Sequence, residues 1–458
     1  MMMTRPLLPI RQHAAGILRL GLPLVGNNVA LAAMGTVDTV MAGQLGSVSL
    51  AAVAVGVAFY NLFLFSGMGV MMAVAPLVAH ARGGHRHGEV AQYARQAVWL
   101  ALAMALLLAP LMFLVGPLLR LLGTAPAVVP QATGFVWALA AGYPAMLVYL
   151  SLRYVSEGLG QTRPIFLTAA CGLVMNISGN WIFMYGKFGM PALGAVGCGV
   201  ASALVMWTLL LAMVFNLRFA NAFRRYALFA QFAWPDLARL RELLRLGLPI
   251  CGGLMSEAGL FIACAFIMGT LGAIEVGAHQ VALNYASLTF MVPLALHSAT
   301  TVYVGYLLGG GRVADGRRGG YTGIALCTGL MAFSAGILLF ANEAIAALYT
   351  RDPQVLSLAS KLLLLAGLFQ ISDGLQVGAA GALRGFKDAR VPMWLNLFSY
   401  WGVGFPLAFG LGVVLHAGPE YVWVGLIGGL TVCAALLSWR YAQVSRRAVA
   451  AAQRERSA

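Results

Sequence analysis

The chain has 458 residues, of which 61% are apolar and 9% charged, against about 45–50% and 25% in an ordinary soluble domain. A soluble globular fold is excluded. Twenty-nine Lys and Arg against fourteen Asp and Glu leave a formal net charge of +15, and in so apolar a chain this surplus points to the cytoplasmic loops of a membrane protein rather than to nucleic acid.

A membrane span needs ~20 apolar residues, and twelve such stretches follow one another at 14–42, 48–80, 91–117, 131–153, 164–186, 192–217, 243–270, 276–306, 320–341, 355–383, 392–415 and 420–441. The first carries Arg5, Arg11 and Arg19 near its start and an Ala30-Leu31-Ala32 triplet like a leader cleavage site. Its apolar run is too long for a leader, so it is expected to be a retained span. With the N-terminus, every second loop and the C-terminus taken as one side, that side holds 25 of the 29 basic residues, and the other keeps Arg120, Lys187, Arg351 and Lys361. By the positive-inside rule both termini are expected in the cytoplasm. The cysteines at 171, 198, 251, 264, 327 and 433 lie scattered in apolar stretches with no C-x-x-C pair, as expected of small reduced core residues.

The chain matches itself at one fixed offset, near half its length. Arg19-Leu20-Gly21-Leu22-Pro23 aligns with Arg245-Leu246-Gly247-Leu248-Pro249, Leu45-Gly46 with Leu271-Gly272, and Gly83-Gly84 with Gly309-Gly310. With a slip of one residue, Gly158 to Arg163 faces Gly385 to Arg390. Two six-helix halves that both enter from the same side form a parallel repeat about an axis along the membrane normal. The expected organisation is an N-lobe over 1–217, a basic cytoplasmic linker over 218–242, a C-lobe over 243–441 and a cytoplasmic tail over 442–458. A substrate path is expected between the lobes, with access alternating as they rock.

Eleven of the fourteen acids fall in loops or at span ends, and Asp38, Glu257 and Asp373 do not. A charge at mid-bilayer costs at least ~2.5–3.5 kcal/mol, so such residues face an interior or an aqueous cavity and serve a proton, ion or substrate. The pattern places no Lys or Arg deep in a span to neutralise them, so they are expected to be protonated or to bind a cation. The halves differ here: Asp38 aligns with Cys264 and Glu257 with Leu31. Asn176 and Asn180 share one face of the fifth span at i, i+4, and Ser202 opens the sixth. Amide and hydroxyl oxygens with a carboxylate suit a hard monovalent cation such as Na+, and equally serve as interhelical glue. His279 and His297 are about five turns apart, ~27 Å at 1.5 Å per residue; they cannot share a metal and are expected to be satisfied core or pore-lining residues. Met255, Phe261, Gln280, Phe290 and Phe369 are candidate walls of a substrate cavity, since Met and aromatic side chains adapt to varied ligands.

The segments LGLP at 20–23, VDTVMAGQLG at 37–46, NISGNWIFMYGKFGMPALGAVGCGVAS at 176–202 and LFQISDGLQVGAAGALRGFKDARVPM at 368–393 resemble the multidrug and toxic compound extrusion (MATE) transporters of the NorM-like bacterial branch. The resemblance covers nearly the whole chain. It implies an all-α integral membrane fold of twelve transmembrane helices in two six-helix lobes related by pseudo-two-fold symmetry, set in the bacterial cytoplasmic (inner) membrane. It also implies export of cationic amphipathic drugs and toxins in exchange for Na+ or H+, without a cofactor, by a chain expected to be monomeric and to bind no nucleic acid. Carried over by position, the N-lobe group is Asp38 with Asn176, Asn180 and Ser202, and the C-lobe pair is Glu257 and Asp373, either set being a seat for Na+. Proton-driven relatives often carry Asp where this chain has Asn180. Some Na+-linked relatives carry Tyr where it has Phe369. The coupling ion is left open.

Two other readings are weighed. One is another carrier, a lipid-linked glycan flippase or a different twelve-span exporter: a flippase would hold basic residues in its central cavity for pyrophosphate, and none is apparent, while Asp315-Gly316-Arg317-Arg318 resembles a basic loop of the major facilitator group but has no counterpart at 89–92. A membrane enzyme would need a nucleophile with a base or a metal cluster, and no H-E-x-x-H or G-x-S-x-G occurs. A carrier, not an enzyme, is expected.

Overall fold

The computed structural model describes residues 6–228 and 231–457. Arg5 of the basic tally and Phe229 and Ala230 of the linker lie outside the described residues. Inside hydrocarbon the chain must satisfy its own backbone hydrogen bonds, which leaves helices as the spanning form for so apolar a sequence. The described residues contain twelve helices long and apolar enough to cross: α1 (Ile10–Gln44), α2 (Ser47–Gly83), α3 (His87–Met112), α4 (Val129–Gly158), α5 (Arg163–Tyr185), α6 (Ala195–Phe219), α7 (Leu237–Leu271), α8 (Ala273–Gly309), α9 (Val313–Tyr349), α10 (Pro353–Gly385), α11 (Arg390–Val414) and α12 (Pro419–Glu455).

Several helices outrun the apolar stretches that announce them. Apolarity measures the bilayer, whereas a helix ends where its caps and breakers lie. The twelfth continues from its apolar run through the basic, Ala-rich stretch to Ser457, residues with high helix propensity. The tenth starts at a readable cap: Asp352 accepts from the backbone N–H of Gln354 and Val355, and Pro353 follows it, the N-cap and N1 preferences. In α11 two π-helical segments, Phe398–Gly404 and Gly410–Val414, flank a short α-helical turn. Pro406 lies between them and has no N–H to continue the regular ladder.

The repeat seen in the sequence is a repeat of backbone. Gly46 at φ +109° and Gly272 at φ +151° precede the second helix of each half, in conformations only glycine takes freely. The turn after that helix is left-handed at His85 in one half and at Gly311 in the other; the turn after the fourth is left-handed at Gly160 and at Lys387. Within the first half α4 packs on α2, α3 and α6; within the second α10 packs on α8, α9 and α12. Each half is thus built around its fourth helix.

The compact units are not the two sequence halves. One comprises Gly26–Cys251, and the other Met1–Val25 with Gly252–Ala458. The boundaries fall at equivalent positions of the repeat, shortly after Pro23 and Pro249. The start of α1 is held inside the second unit by Asp315: Leu8 N donates to Oδ1 at 2.9 Å, His13 Nε2 stands 3.7 Å from the same oxygen, and Arg312 pairs with Oδ2 at 2.8 Å. Asp315, a loop acid by its place in the sequence, is therefore buried in the first turn of α9. Glu157 and Arg153, one turn apart in α4, are likewise buried.

Glycines set the closest helix approaches. A Cβ on Gly142 of α4 would stand 2.8 Å from Ala203 Cα and from Met206 Sδ of α6, and overpacking of this kind costs about 1–3 kcal/mol. Gly142→Val is expected to lower the melting temperature in detergent, read by intrinsic fluorescence, with Gly142→Ala in between. Unchanged melting for both would show that α4 and α6 can part at no cost.

Candidate functional site

Each unit brings one set of the expected polar residues together. In the Gly26–Cys251 unit, Asp38 of α1 lies opposite α5, where the i, i+4 spacing presents both amides: Asn176 Nδ2 donates to Asp38 Oδ1 at 2.9 Å and Asn180 Nδ2 at 2.6 Å. Ser202 of α6 also lies close to the carboxyl, as does Cys198, which the sequence alone presents as a core residue. The four expected members of this group are thus assembled. Asn176 and Asn180 are buried, and their Oδ1 atoms have no protein partner. Two amides donate to the carboxylate and keep two carbonyl oxygens unspent, so the group has acceptor capacity for a cation or, after an amide turns, for a protonated carboxyl.

In the other unit, Glu257 of α7 and Asp373 of α10 line one cavity of about 250 Å³. Its remaining wall is largely aromatic, with Phe261 of α7, Phe290 of α8 and Phe369 of α10. Phe369 meets Phe261 and Trp423 edge to face, both with centroids 5.9 Å apart. Of the five expected wall residues Phe261, Phe290 and Phe369 line this cavity. Met255 and Gln280 do not: Met255 is only partly buried, and Gln280 turns to the exposed face of α8.

The surroundings of the acid pair hold what the sequence did not reveal. Gln376 lies beside Glu257, and its Oε1 is left without a partner. Gln370 donates from Nε2 to Thr289 Oγ1 at 2.6 Å and likewise keeps a lone Oε1. Gln370, Asp373 and Gln376 recur at i, i+3, i+6, a polar stripe along one face of α10 that the sequence did carry. Ser399 and Tyr400 come from the π-helical stretch of α11; both are fully buried, and neither hydroxyl makes a well-formed hydrogen bond. Tyr400 lies near Glu257, Asp373 and the Cys433 thiol. Rare π turns are frequent at functional sites because the extra residue re-aims side chains. No sequence pattern announces this one.

Among the described residues no Lys or Arg forms an ion pair with the three membrane acids, yet one acts on Glu257 from the end of its span. Arg384, in the last turn of α10, donates from Nη1 to His297 Nε2 at 2.8 Å and acts electrostatically on Glu257. It looks like a loop residue because Gly385 follows it, but the helix folds its side chain inward. His297 Nδ1 is bonded to the Val377 carbonyl at 2.8 Å, so both ring nitrogens are engaged, as expected of a satisfied core histidine. His279 accepts from Trp423 Nε1 at 3.1 Å through Nδ1, and its Nε2 has no partner.

Comparison with known proteins agrees with the repeat and the fold. The MatE family profile matches the chain twice, over residues 23–182 and 249–409, and the two matches begin on the paired prolines of the repeat, Pro23 and Pro249. A "Probable multidrug resistance protein NorM" of Xanthomonas campestris pv. campestris is 43% identical over 433 residues, 94% of each chain. "Multidrug resistance protein PmpM" of Pseudomonas aeruginosa is 39% identical over 456 residues, 97% of this chain and 96% of that one. Among solved structures, the eukaryotic MATE transporter AtDTX14 superposes with a TM-score of 0.86 over 97% of this chain and 99% of its own, at 19% identity, a likeness of fold.

The two acid sites should respond oppositely to neutral substitution. Asp373 is buried beside Glu257, so Asp373→Asn removes like-charge repulsion and is expected to melt at or above the parent temperature in detergent. Asp38→Leu strips Asn176 and Asn180 of their acceptor and should melt lower, at about 1–3 kcal/mol for each buried group left unpaired. Melting of Asp373→Asn well below the parent would mean that its carboxyl is a structural support.

Proposed function

The chain belongs to the MatE family, and we propose that it is a secondary active multidrug exporter that moves cationic amphipathic molecules out of the bacterial cell in exchange for Na+ or H+. It is a multi-pass membrane protein with twelve spans. In this reading it acts as a monomer in the cytoplasmic membrane with both termini in the cytoplasm, and its two six-helix lobes alternate access without chemistry on the substrate.

The observation that carries the proposal is the pairing of Glu257 and Asp373 in the wall of one aromatic cavity. Such a wall offers a lipophilic cation two things at once: flat apolar surface, with cation–π attraction from Phe261, Phe290 and Phe369, and negative charge. A proton or Na+ seeks the same charge. Gln376 Oε1 and the Tyr400 hydroxyl, both without a partner, are further oxygens near the pair. Arg384 acts on Glu257 from one side and offsets part of its negative charge. Occupancy by drug and by coupling ion is then mutually exclusive.

Exchange becomes transport when the two occupied forms favour different access states. A ligand shifts a conformational equilibrium only by its differential affinity for the two states, and the coupling it creates is reciprocal. Asp38 with Asn176, Asn180 and Ser202 supplies a second place for the coupling cation in the other unit, where the amide oxygens rather than a second carboxylate complete the seat.

Asp373→Asn and Glu257→Gln are each expected to abolish efflux of a fluorescent organic cation from cells while the protein remains at parental abundance. Unchanged efflux would overturn the assignment to this cavity. In inverted vesicles, imposing the Na+ gradient and the pH gradient separately identifies which one drives the flux; transport supported by neither would overturn antiport.

A further inference from the structure

The connection between α6 and α7 is not a free linker. It is strapped along α3 by side chains that reach its backbone: Arg95 Nε and Nη2 donate to the carbonyls of Leu228 and Ala227 at 3.2 and 3.3 Å, Trp99 Nε1 to Ala233 at 2.9 Å, and Gln96 Nε2 to Trp234 at 2.9 Å, while Gln96 Oε1 accepts from Asp236 N at 2.8 Å. Between strap and helix lies a cavity of about 420 Å³, larger than the one at the acid pair. Its wall is apolar, from Val98, Trp99, Leu102, Leu152 and Phe232, with Arg95 as the one charged member. Leu102 is 41% exposed, and Leu106 and Leu107 beyond it are 79% and 69% exposed. The cavity therefore continues onto a face of α3 that only hydrocarbon can cover.

We infer that this pocket is a binding site for an anionic phospholipid of the surrounding bilayer, with an acyl chain in the cavity and the headgroup phosphate on the arginines of the strap. The charges support it. Glu242 is taken by Tyr93 and Arg239, Glu89 by Arg86, and Asp236 by the N–H of Ala238. Arg224 and Arg225, just before Leu228 in the chain, are exposed and have no acidic partner among the described residues. Arg225 stands over the Tyr226 ring with Cζ 4.9 Å from its centroid, which holds its guanidinium at this end of the strap, and Arg95 spends only two of its five N–H groups on the backbone. Phe232 and Trp234 are 73% and 77% exposed on the strap itself, the amphipathic aromatics that settle at the headgroup level. A surface with apolar depth, aromatic rim and unpaired cations complements an anionic lipid, and clustered basic residues beside a span are the sequence mark of such recognition.

The test uses the full-length protein purified in detergent, with phosphatidylglycerol or the zwitterionic phosphatidylethanolamine added at equal concentration and lipid adducts counted by native mass spectrometry. Phosphatidylglycerol is expected to be retained in preference, and Arg224→Gln and Arg225→Gln to weaken that preference by about fivefold each, the worth of one basic residue near an anionic lipid surface. Val98→Trp, which fills the cavity, is expected to reduce retention of both lipids at a parental melting temperature. Equal retention of the two lipids by the parent overturns the inference, as does full retention by both arginine variants, which sit on the surface and leave the fold untouched.

Discussion

A carboxylate within the hydrocarbon of a bilayer is a cost that the rest of a protein must offset, and this chain carries Asp38, Glu257 and Asp373 within its spans. The offsets are local and differ by site. Asp38 is held by two amide donors at hydrogen-bonding distance, the charge-assisted bonds that are about twice as strong as neutral ones. Glu257 has the Gln376 side chain beside it and the field of Arg384. Asp373 has Glu257 as its charged neighbour. The acid pair is the less compensated site, and it lies in the wall of a cavity. Incomplete compensation beside a cavity is the feature on which the proposed exchange of cations rests.

Around these acids a duplicated scaffold is kept rigid by backbone rather than by side-chain identity. Positive φ recurs at Gly46 and Gly272, at His85 and Gly311, and at Gly160 and Lys387. His85 and Lys387 accept a conformation that costs an L-residue roughly 1–2 kcal/mol, so turn geometry has been retained where glycine has not. The chemistry has diverged inside the same frame. Asp38 answers Cys264 and Glu257 answers Leu31, so two units of one topology carry a single acid with amides in one and a pair of acids in the other.

What the sequence discloses follows the range of the interaction concerned. Twelve spans, the repeat and the three membrane acids are legible because hydrophobic runs and a lone charge within them are local facts. The amides of Asn176 and Asn180 are legible because i, i+4 spacing fixes a shared face. Arg384 is easily misread because its helix ends just after it and its partner, His297, lies far away in the chain. Asp315 and Glu157 read as boundary acids, yet both are buried, since the pattern that marks a span's edge says nothing of what packs against it. The π turn that sets Ser399 and Tyr400 in place depends on a register that no residue-by-residue propensity records.

The exchange of helix starts between the units shows the duplication acting on tertiary structure. Each unit boundary lies just after the proline of its LGLP motif, where a missing N–H breaks the ladder and lets the two ends of one helix pack independently. The start of α1 is then fastened to α9, by His13, Arg312 and Leu8 on Asp315, and the start of α7 is fastened to α3, by Arg239 and Glu242 on Tyr93 and by Asp236 on Gln96. These are the same attachment, because α3 and α9 are the third helices of their halves and the repeat that lays Pro23 on Pro249 also lays His13 on Arg239. Part of it is kept, since Arg312 with Asp315 repeats Arg86 with Glu89 at the same offset, and part is replaced: His13 meets Asp315 on one side, and Arg239 with Glu242 meets Tyr93 on the other. An attachment kept in place while the contacts that cross it have been replaced is one that the fold requires of both halves, and the chain meets the requirement with whatever polar chemistry each half supplies.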